Sequence, residues 1–372
     1  MKIDASHLDD LSLGAVFLAT GGGGDPYVSK LVAAQALNTW GPVEIIDPES
    51  VADDARIVTI GSVRAPTASL ELLPSLSEAG QALAAYEEHV GEAVDAVVSF
   101  EIGGGNSLIP MIAAVERGLP VINGDGMGRA LPEAQMMTYP IAGVCPTPAV
   151  ALDYAGNVST FDTPDIFEYE KQIRDFALQH GGMITACEHP MTGRELKASV
   201  VPRTVSFSIE LGRVLRRNRG SAHSVMSPLA TAFEGSIYGE LRHLYTGKVV
   251  DSERRIVGGF DMGMARIEAF DTGWPDLEID IKNEYLVARL GDRVLASVPD
   301  LISILDYETS TPINAERLRY GQRVTVCAVG CPAYYRSEAA LAVVAPRCFG
   351  FDFDYVPLEE RDPGQALPLS DA

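Results

Sequence analysis

Residues 96–126, AVVSFEIGGGNSLIPMIAAVERGLPVINGDG, decide the fold. The β-branched run AVVSFEIG (96–103) reads as a strand, residues 107–117 carry apolar side chains at helical spacing, and PVINGDG (120–126) returns to a strand pattern. Two buried apolar strands joined through a helix imply parallel pairing with a right-handed crossover. VEIID (43–47) and RIVTIGSV (56–63) read as further strands of the same sheet, with a helix over roughly 76–90. The fold class expected is therefore α/β: a parallel-sheet, Rossmann-like N-terminal domain.

In such sheets ligands sit beyond the carboxyl ends of the strands. Here those ends are GSVRAP (61–66), EIGGGN (101–106) and NGDGMGRALPE (123–133), all rich in glycine and polar residues. They are expected to converge on one crevice.

Upstream, ATGGGGDPY (19–27) poses the question of a phosphate loop. Leu8, Leu11, Ala15 and Leu18 repeat at helical spacing after an S-x-x-D start signal, Ser6 to Asp9. Asp25 suits an N-cap and Pro26 the first position of a second helix. The glycines thus join helix to helix. A dinucleotide fingerprint requires a strand before the glycines, so the run reads better as a wall of the crevice with a helix start pointing in.

Beyond residue 165 the pattern changes. TPDIFEYEKQIRDFALQHGG and TVSFSIELGRVLRRNRG read as helices around a strand-like MITACEHP, and the chain is mostly β after about 245. The expected division is an α/β domain over 1–165, a helical or mixed connection over 166–245, a β-rich C-terminal domain over 246–360 and a loose tail over 361–372.

Lys and Arg number 29 against 51 Asp and Glu, a net charge of −22, which repels nucleic acid and anionic membrane. No uncharged apolar run approaches the roughly 20 residues needed to span a bilayer. The N-terminus lacks a basic stretch leading into an apolar one. Five scattered cysteines without a C-x-x-C pair resemble neither a disulfide framework nor a structural zinc site. A cytoplasmic protein is expected.

The blocks ATGGGGDPY, EIGGGNSLIP, NGDGMGRALPEAQM, LYTGKVVD…GGFDMG, VPDLISILDYETSTPI and APRCFGFDFDY occur here in one order. This set resembles a bacterial and archaeal family first defined as a domain of unknown function and now associated with S-methyl thiohydantoin desulfurase, often encoded near hydantoinase-type genes. Asn123 and Leu131 stand where the family pattern commonly has an acidic residue and Phe. The resemblance implies a hydrolase of a small five-membered heterocycle that converts an S-methylated thiohydantoin to a hydantoin and methanethiol, or opens a related cyclic amide. It also implies a homo-oligomer. Two alternatives stand beside it: an accessory subunit that binds a metabolite beside a hydantoinase-type enzyme, and a nucleotide-binding enzyme using the glycine-rich loops.

Such hydrolysis needs an activated water, a proton donor and dipoles facing the developing charge. Asp125, between two glycines, reads as general base or ring anchor, or as a turn aspartate bonding its own backbone. Glu133 reads as the acid or as a first-turn carboxylate. Glu101 and Asn106 flank the glycines; an amide at 106 suits a ring imide, or caps the helix that follows. Gly103, Gly104 and Gly105 let backbone N–H groups approach an oxyanion or ring carbonyl, and Gly22 and Gly23 belong to the loop expected to help hold the ring. Arg129 suits a two-pronged grip on a substrate carboxylate, or neutralises Asp125 and Glu133. Cys145 is a candidate nucleophile or an inert thiol, Thr147 a candidate hydroxyl, and Asp25 a cap that also touches ligand. No cofactor is strongly implied. The histidines are isolated, and Cys187, Glu188 and His189 form the densest potential ligand cluster, so zinc assembled from distant residues stays open.

Overall fold

The computed structural model describes residues 1–64, 75–270 and 273–362. Ala65 and Pro66 of the first strand end, and residues 363–372 of the expected tail, lie outside the described residues.

Two sheets organise the chain. The first contains β1 (Lys2–Ile3), β2 (Val43–Ile46), β3 (Arg56–Arg64), β4 (Ala96–Ser99), β5 (Val121–Asp125), β6 (Ala149–Asp153), β7 (Val158–Phe161), β8 (Met183–Thr192) and β9 (Val201–Pro202). Its order is β1-β2-β5-β4-β3-β8-β6-β7, with β9 on β5. β2, β5, β4 and β3 pair in parallel, with Ile45 opposite Val121 and Ile57 opposite Ala96. The 96–126 unit therefore folds as expected, with α4 (Ile109–Arg117) as its crossover helix.

The sheet is mixed, however. β8 pairs antiparallel to β3, placing Thr59 opposite Glu188, and continues into an antiparallel β6–β7 pair. The segment after 165 is thus integral to the first sheet: its Ile166–Gln179 helix leads into β8, which covers the edge of β3.

Before the parallel strands, α1 (Leu8–Leu18) and α2 (Pro26–Trp40) flank the glycine run. Asp25 caps α2 by accepting the Tyr27 N–H at 2.8 Å, and Pro26 takes the first position. The start signal at Ser6 is not used this way: the Asp4 side chain accepts the Ser6 N–H and caps a short 3₁₀ turn that runs into α1. α3 (Glu78–Val90) ends in a left-handed Gly91.

The second sheet is antiparallel throughout: β10 (Leu241–Val257), β11 (Phe260–Ala269), β12 (Leu277–Lys282), β13 (Glu284–Leu290), β14 (Arg293–Ser297), β15 (Leu301–Asp306) and β16 (Arg323–Val329), in the order β14-β13-β12-β11-β10-β16-β15. It curls, so that β15 lies against β13 and β14. One apolar core fills the curl. The other, larger core runs from the first sheet into Leu286, Val287, Leu301 and Cys327 of the second, so the two sheets are fused through a shared interior.

Candidate active site

Parallel pairing brings the carboxyl ends of β3, β4 and β5 side by side, and the loops after β4 and β5 are tied together there. Asp125 Oδ2 accepts the N–H groups of Ile102 (2.9 Å), Met127 (2.9 Å) and Gly128 (2.7 Å). Asp125 is fully buried, and burial pushes its carboxyl up to about 6 despite those donors. The Ser99 hydroxyl closes the next turn by donating to the Glu101 carbonyl at 2.7 Å.

The glycines hold these loops against each other. Gly105 donates its N–H to the carbonyls of Gly23 (2.9 Å) and Gly24 (3.0 Å). A Cβ on Gly104, whose φ is +41°, would stand 2.1 Å from the Gly24 carbonyl oxygen. One on Gly22 would stand 2.1 Å from Glu284 Oε1 of the second sheet. The run lets three chain segments approach closely at this point. Asp25 faces away from the crevice: it pairs with Arg317 at 2.5 Å, its N–H donates to Glu316, and it borders a separate cleft with Lys30 and Asn314. A helix start already occupied by carboxylates does not receive an anion, and it does not point into the crevice as the sequence reading expected.

Between the strand-end loops and the second sheet lies a cavity of about 80 Å³. Five carboxyl side chains border it: Glu101 after β4, Glu133 after β5, Glu170 of the Ile166–Gln179 helix, Glu188 on β8 and Glu284 at the head of β13. Glu101 is 6% exposed, Glu188 1% and Glu284 3%. Asn106 Nδ2 donates to Glu101 Oε1 at 2.8 Å, while the same amide brackets Ser62 of β3, accepting its N–H at 2.8 Å and donating to its carbonyl at 3.2 Å. Tyr169 donates its hydroxyl to Glu188 Oε2.

The charge states follow from these surroundings. Burial holds the Glu284 carboxyl well above the usual carboxylate range, and the nearby Glu101 adds to the effect. Burial also raises Glu170, more than its partner Arg174 lowers it. At the mouth, Arg174 binds Glu170 (2.8 Å) and the Pro132 carbonyl (2.8 Å), Lys282 pairs with Glu133, and the Phe260 ring lies 4.4 Å from the Arg174 guanidinium and 4.3 Å from the Lys282 ammonium. Glu284, whose carboxyl burial favours in its protonated form, shares the cavity with Glu101 and Glu188, which accept hydrogen bonds from Asn106 and Tyr169; a buried acid beside accepting carboxyl oxygens is an arrangement acid–base chemistry can use.

Of the residues singled out in the sequence, Glu101, Asn106, Glu133 and Gly23 border the cavity, as does Leu131. Asp125, Gly22, Gly104 and Gly105 support its walls. Arg129 is fully buried elsewhere, donating to the carbonyls of Ala130 (2.9 Å), Pro299 (2.7 Å) and Asp300 (2.9 Å) and to Thr20 Oγ1 (2.7 Å). It joins the two sheets and has no side-chain contact with Asp125 or Glu133 among these bonds. Cys145 is exposed and Thr147 donates to the Thr163 carbonyl at 2.8 Å; neither borders the cavity. Asn123 accepts the Ser206 N–H at 3.0 Å.

Glu188 was legible only as part of the cluster with Cys187 and His189, although a glutamate inside an apolar strand was itself a signal. Glu170 and Glu284 carried none. His189 is fully buried with φ +49°, its Nδ1 3.2 Å from Glu188 Oε1. Among the described residues no group of three or more His, Cys, Asp or Glu side chains is arranged to hold a metal ion, and no helix is long and apolar enough to cross a membrane.

Comparison with known proteins bears on this architecture. A crystal structure of a protein from Chromobacterium violaceum, determined in a structural-genomics programme, superposes with a TM-score of 0.80 at 23% identity over 96% of this chain and 100% of that one, a likeness of fold. No curated protein matches. Residues 6–163 match the S-Me-THD-like N-terminal domain and residues 164–358 the S-Me-THD-like C-terminal domain, so that the two halves meet within the segment leading to the Ile166–Gln179 helix and β8. With both halves matched in order, the chain belongs to the S-methyl thiohydantoin desulfurase-like family.

Proposed function

We propose that this chain is a hydrolase of a small five-membered heterocycle of the S-methyl thiohydantoin type. The observation that carries the reading is the convergence of the buried Glu101, Glu188 and Glu284 side chains, from three distant parts of the chain, on one cavity beyond the parallel strand ends. Family membership supports the same chemistry.

In this reading Glu101, oriented by Asn106, takes a proton from water as the water oxygen attacks the ring carbon that bears the methylthio group. The C=N bond becomes a C–N single bond, and Glu284, protonated because it is buried, gives its proton to that nitrogen. Collapse of the tetrahedral intermediate forms a carbonyl whose oxygen comes from the water and breaks the C–S bond. The proton held by Glu101 leaves with sulfur, so that water and the S-methyl ring become a hydantoin and methanethiol. A proton from the new ring hydroxyl restores Glu284.

The test is thiol release from a panel of S-methyl thiohydantoins, with Glu101→Gln and Glu284→Gln compared with the native chain. Turnover that falls by about a hundredfold or more in each variant supports the reading. Tight binding of the panel with no thiol release or ring opening points instead to an accessory, metabolite-binding role and sinks it.

A further inference from the structure

His189 is fully buried, yet neither of its ring nitrogens has a hydrogen bond. A dry polar group without a partner is costly, and an apolar side chain would fill the same space without that cost. Its place in the strand is costly too. Between the pairs Ile57–Met191 and Thr59–Glu188, β8 sets two residues, His189 and Pro190, against Val58 of β3. This is a β-bulge, and there His189 takes φ +49°, a left-handed backbone that side chains of its size rarely adopt. Its N–H donates outside the β3 ladder, to the Pro146 carbonyl at 3.0 Å.

The bulge decides which side chains meet. Consecutive strand residues point to opposite faces, and a bulge re-aims one of them. Here Tyr169 touches both neighbours: its hydroxyl donates to Glu188 Oε2, and its ring stands edge-on to the His189 ring, with centroids 6.4 Å apart. Tyr139 also packs on the imidazole, with centroids 6.1 Å apart. His189 Nδ1 lies 3.2 Å from Glu188 Oε1, close enough for a hydrogen bond but out of alignment for one. Such bonds in active sites often align only once substrate is bound. Glu188 in turn borders the cavity.

We infer that His189 is a positioning residue: with Tyr169 it holds the Glu188 carboxyl, one partner at each oxygen, to accept the N–H of the bound ring. The inference rests on the heterocycle reading above. An S-methyl thiohydantoin keeps one N–H beside the reacting carbon, on the nitrogen that Glu284 does not protonate. That hydrogen stays on its nitrogen throughout the reaction, so Glu188 contributes to binding the ring rather than to the chemical step.

The experiment measures KM and kcat by thiol release, and Kd for an unreactive hydantoin, with thermal melts alongside. His189→Leu is expected to raise KM and Kd by about tenfold and to leave kcat within about twofold. His189→Gly, in which a left-handed backbone costs nothing, gives the same readout if the Leu variant does not fold. His189→Asn keeps a short polar side chain beside Glu188 and accepts a positive φ, so it is expected to recover most of the loss. In a Glu188→Ala background, His189→Leu is expected to raise KM and Kd no further, because the two act on one contact.

A residue that only fills the core would lower the melting temperature and the active fraction without moving KM or Kd. That pattern in the His189 variants overturns this inference while the hydrolase reading stands. If the native chain binds the hydantoin but turns nothing over, and the variants weaken Kd as expected, the hydrolase reading fails and this one stands. Absence of ring binding by the native chain overturns both.

Discussion

The Asn106 side-chain amide joins Ser62 of β3 to Glu101 after β4, accepting from the Ser62 N–H at 2.8 Å and donating to Glu101 Oε1 at 2.8 Å. One side chain thus completes the edge of a parallel strand and aims a cavity carboxylate. Asn106→Ala removes both bonds. It is expected to lower kcat by about ten- to a hundredfold, and stability by about 1–3 kcal/mol because the buried Ser62 N–H is left without a partner. Steady-state kinetics with urea unfolding checks this; a stability loss with unchanged kcat would leave Asn106 a scaffold residue.

Glu284 links activity to stability in opposite directions. Its folded carboxyl titrates above the unfolded value, so the stability it contributes is complete below the unfolded pKa and is lost as pH rises through the folded one. Glu284→Gln therefore gains stability over the native chain as pH rises from 4 to 8, while losing turnover. Thermal melts across that range, paired with thiol-release rates, measure both.

Asp125 gives the same sign without touching the cavity. A carboxyl moved from 3.8 to about 6 costs the folded state about 3 kcal/mol between pH 4 and 7. Asp125→Asn, whose side-chain oxygen still accepts from Ile102, Met127 and Gly128, is expected to flatten that part of the stability–pH curve. An unchanged slope in the variant would rule out Asp125 as its source.

Arg129 is a clamp between the sheets. Arg129→Ala leaves the buried carbonyls of Pro299 and Asp300 without their donor, at about 1–3 kcal/mol for each group left unpaired, and is expected to destabilise by at least about 2 kcal/mol. KM of the remaining folded protein stays near the native value; a rise of tenfold or more would instead place Arg129 on the substrate.

The glycine runs separate packing from backbone freedom. Gly118 has φ +66° with nothing near its missing Cβ, so Gly118→Ala costs about 1 kcal/mol. Gly104→Ala adds a collision with the Gly24 carbonyl and is expected to cost at least about 2 kcal/mol more. ATP and NAD are expected to leave the melting temperature of the native chain unchanged.

Local chemistry was enough to read the strand–helix–strand unit at 96–126, the α2 start at Asp25–Pro26 and the convergence of three strand ends. Each depends on spacing between near neighbours, which the residues display directly. The same reading placed Glu101 and Asn106 at the crevice because they follow β4 at once.

What the residues did not display was which distant groups meet them. Glu188 comes from β8, an antiparallel strand that reaches β3 from more than a hundred residues along the chain, and Glu284 comes from another sheet altogether. Arg129 and Asp125 sit in the same block as Glu133, yet burial turned the first into a clamp and the second into a loop tie. Sequence periodicity records which face a residue presents. Whether a carboxyl is dry, protonated and opposed by another depends on contacts between segments far apart in the chain, and those exist only once the tertiary fold has formed.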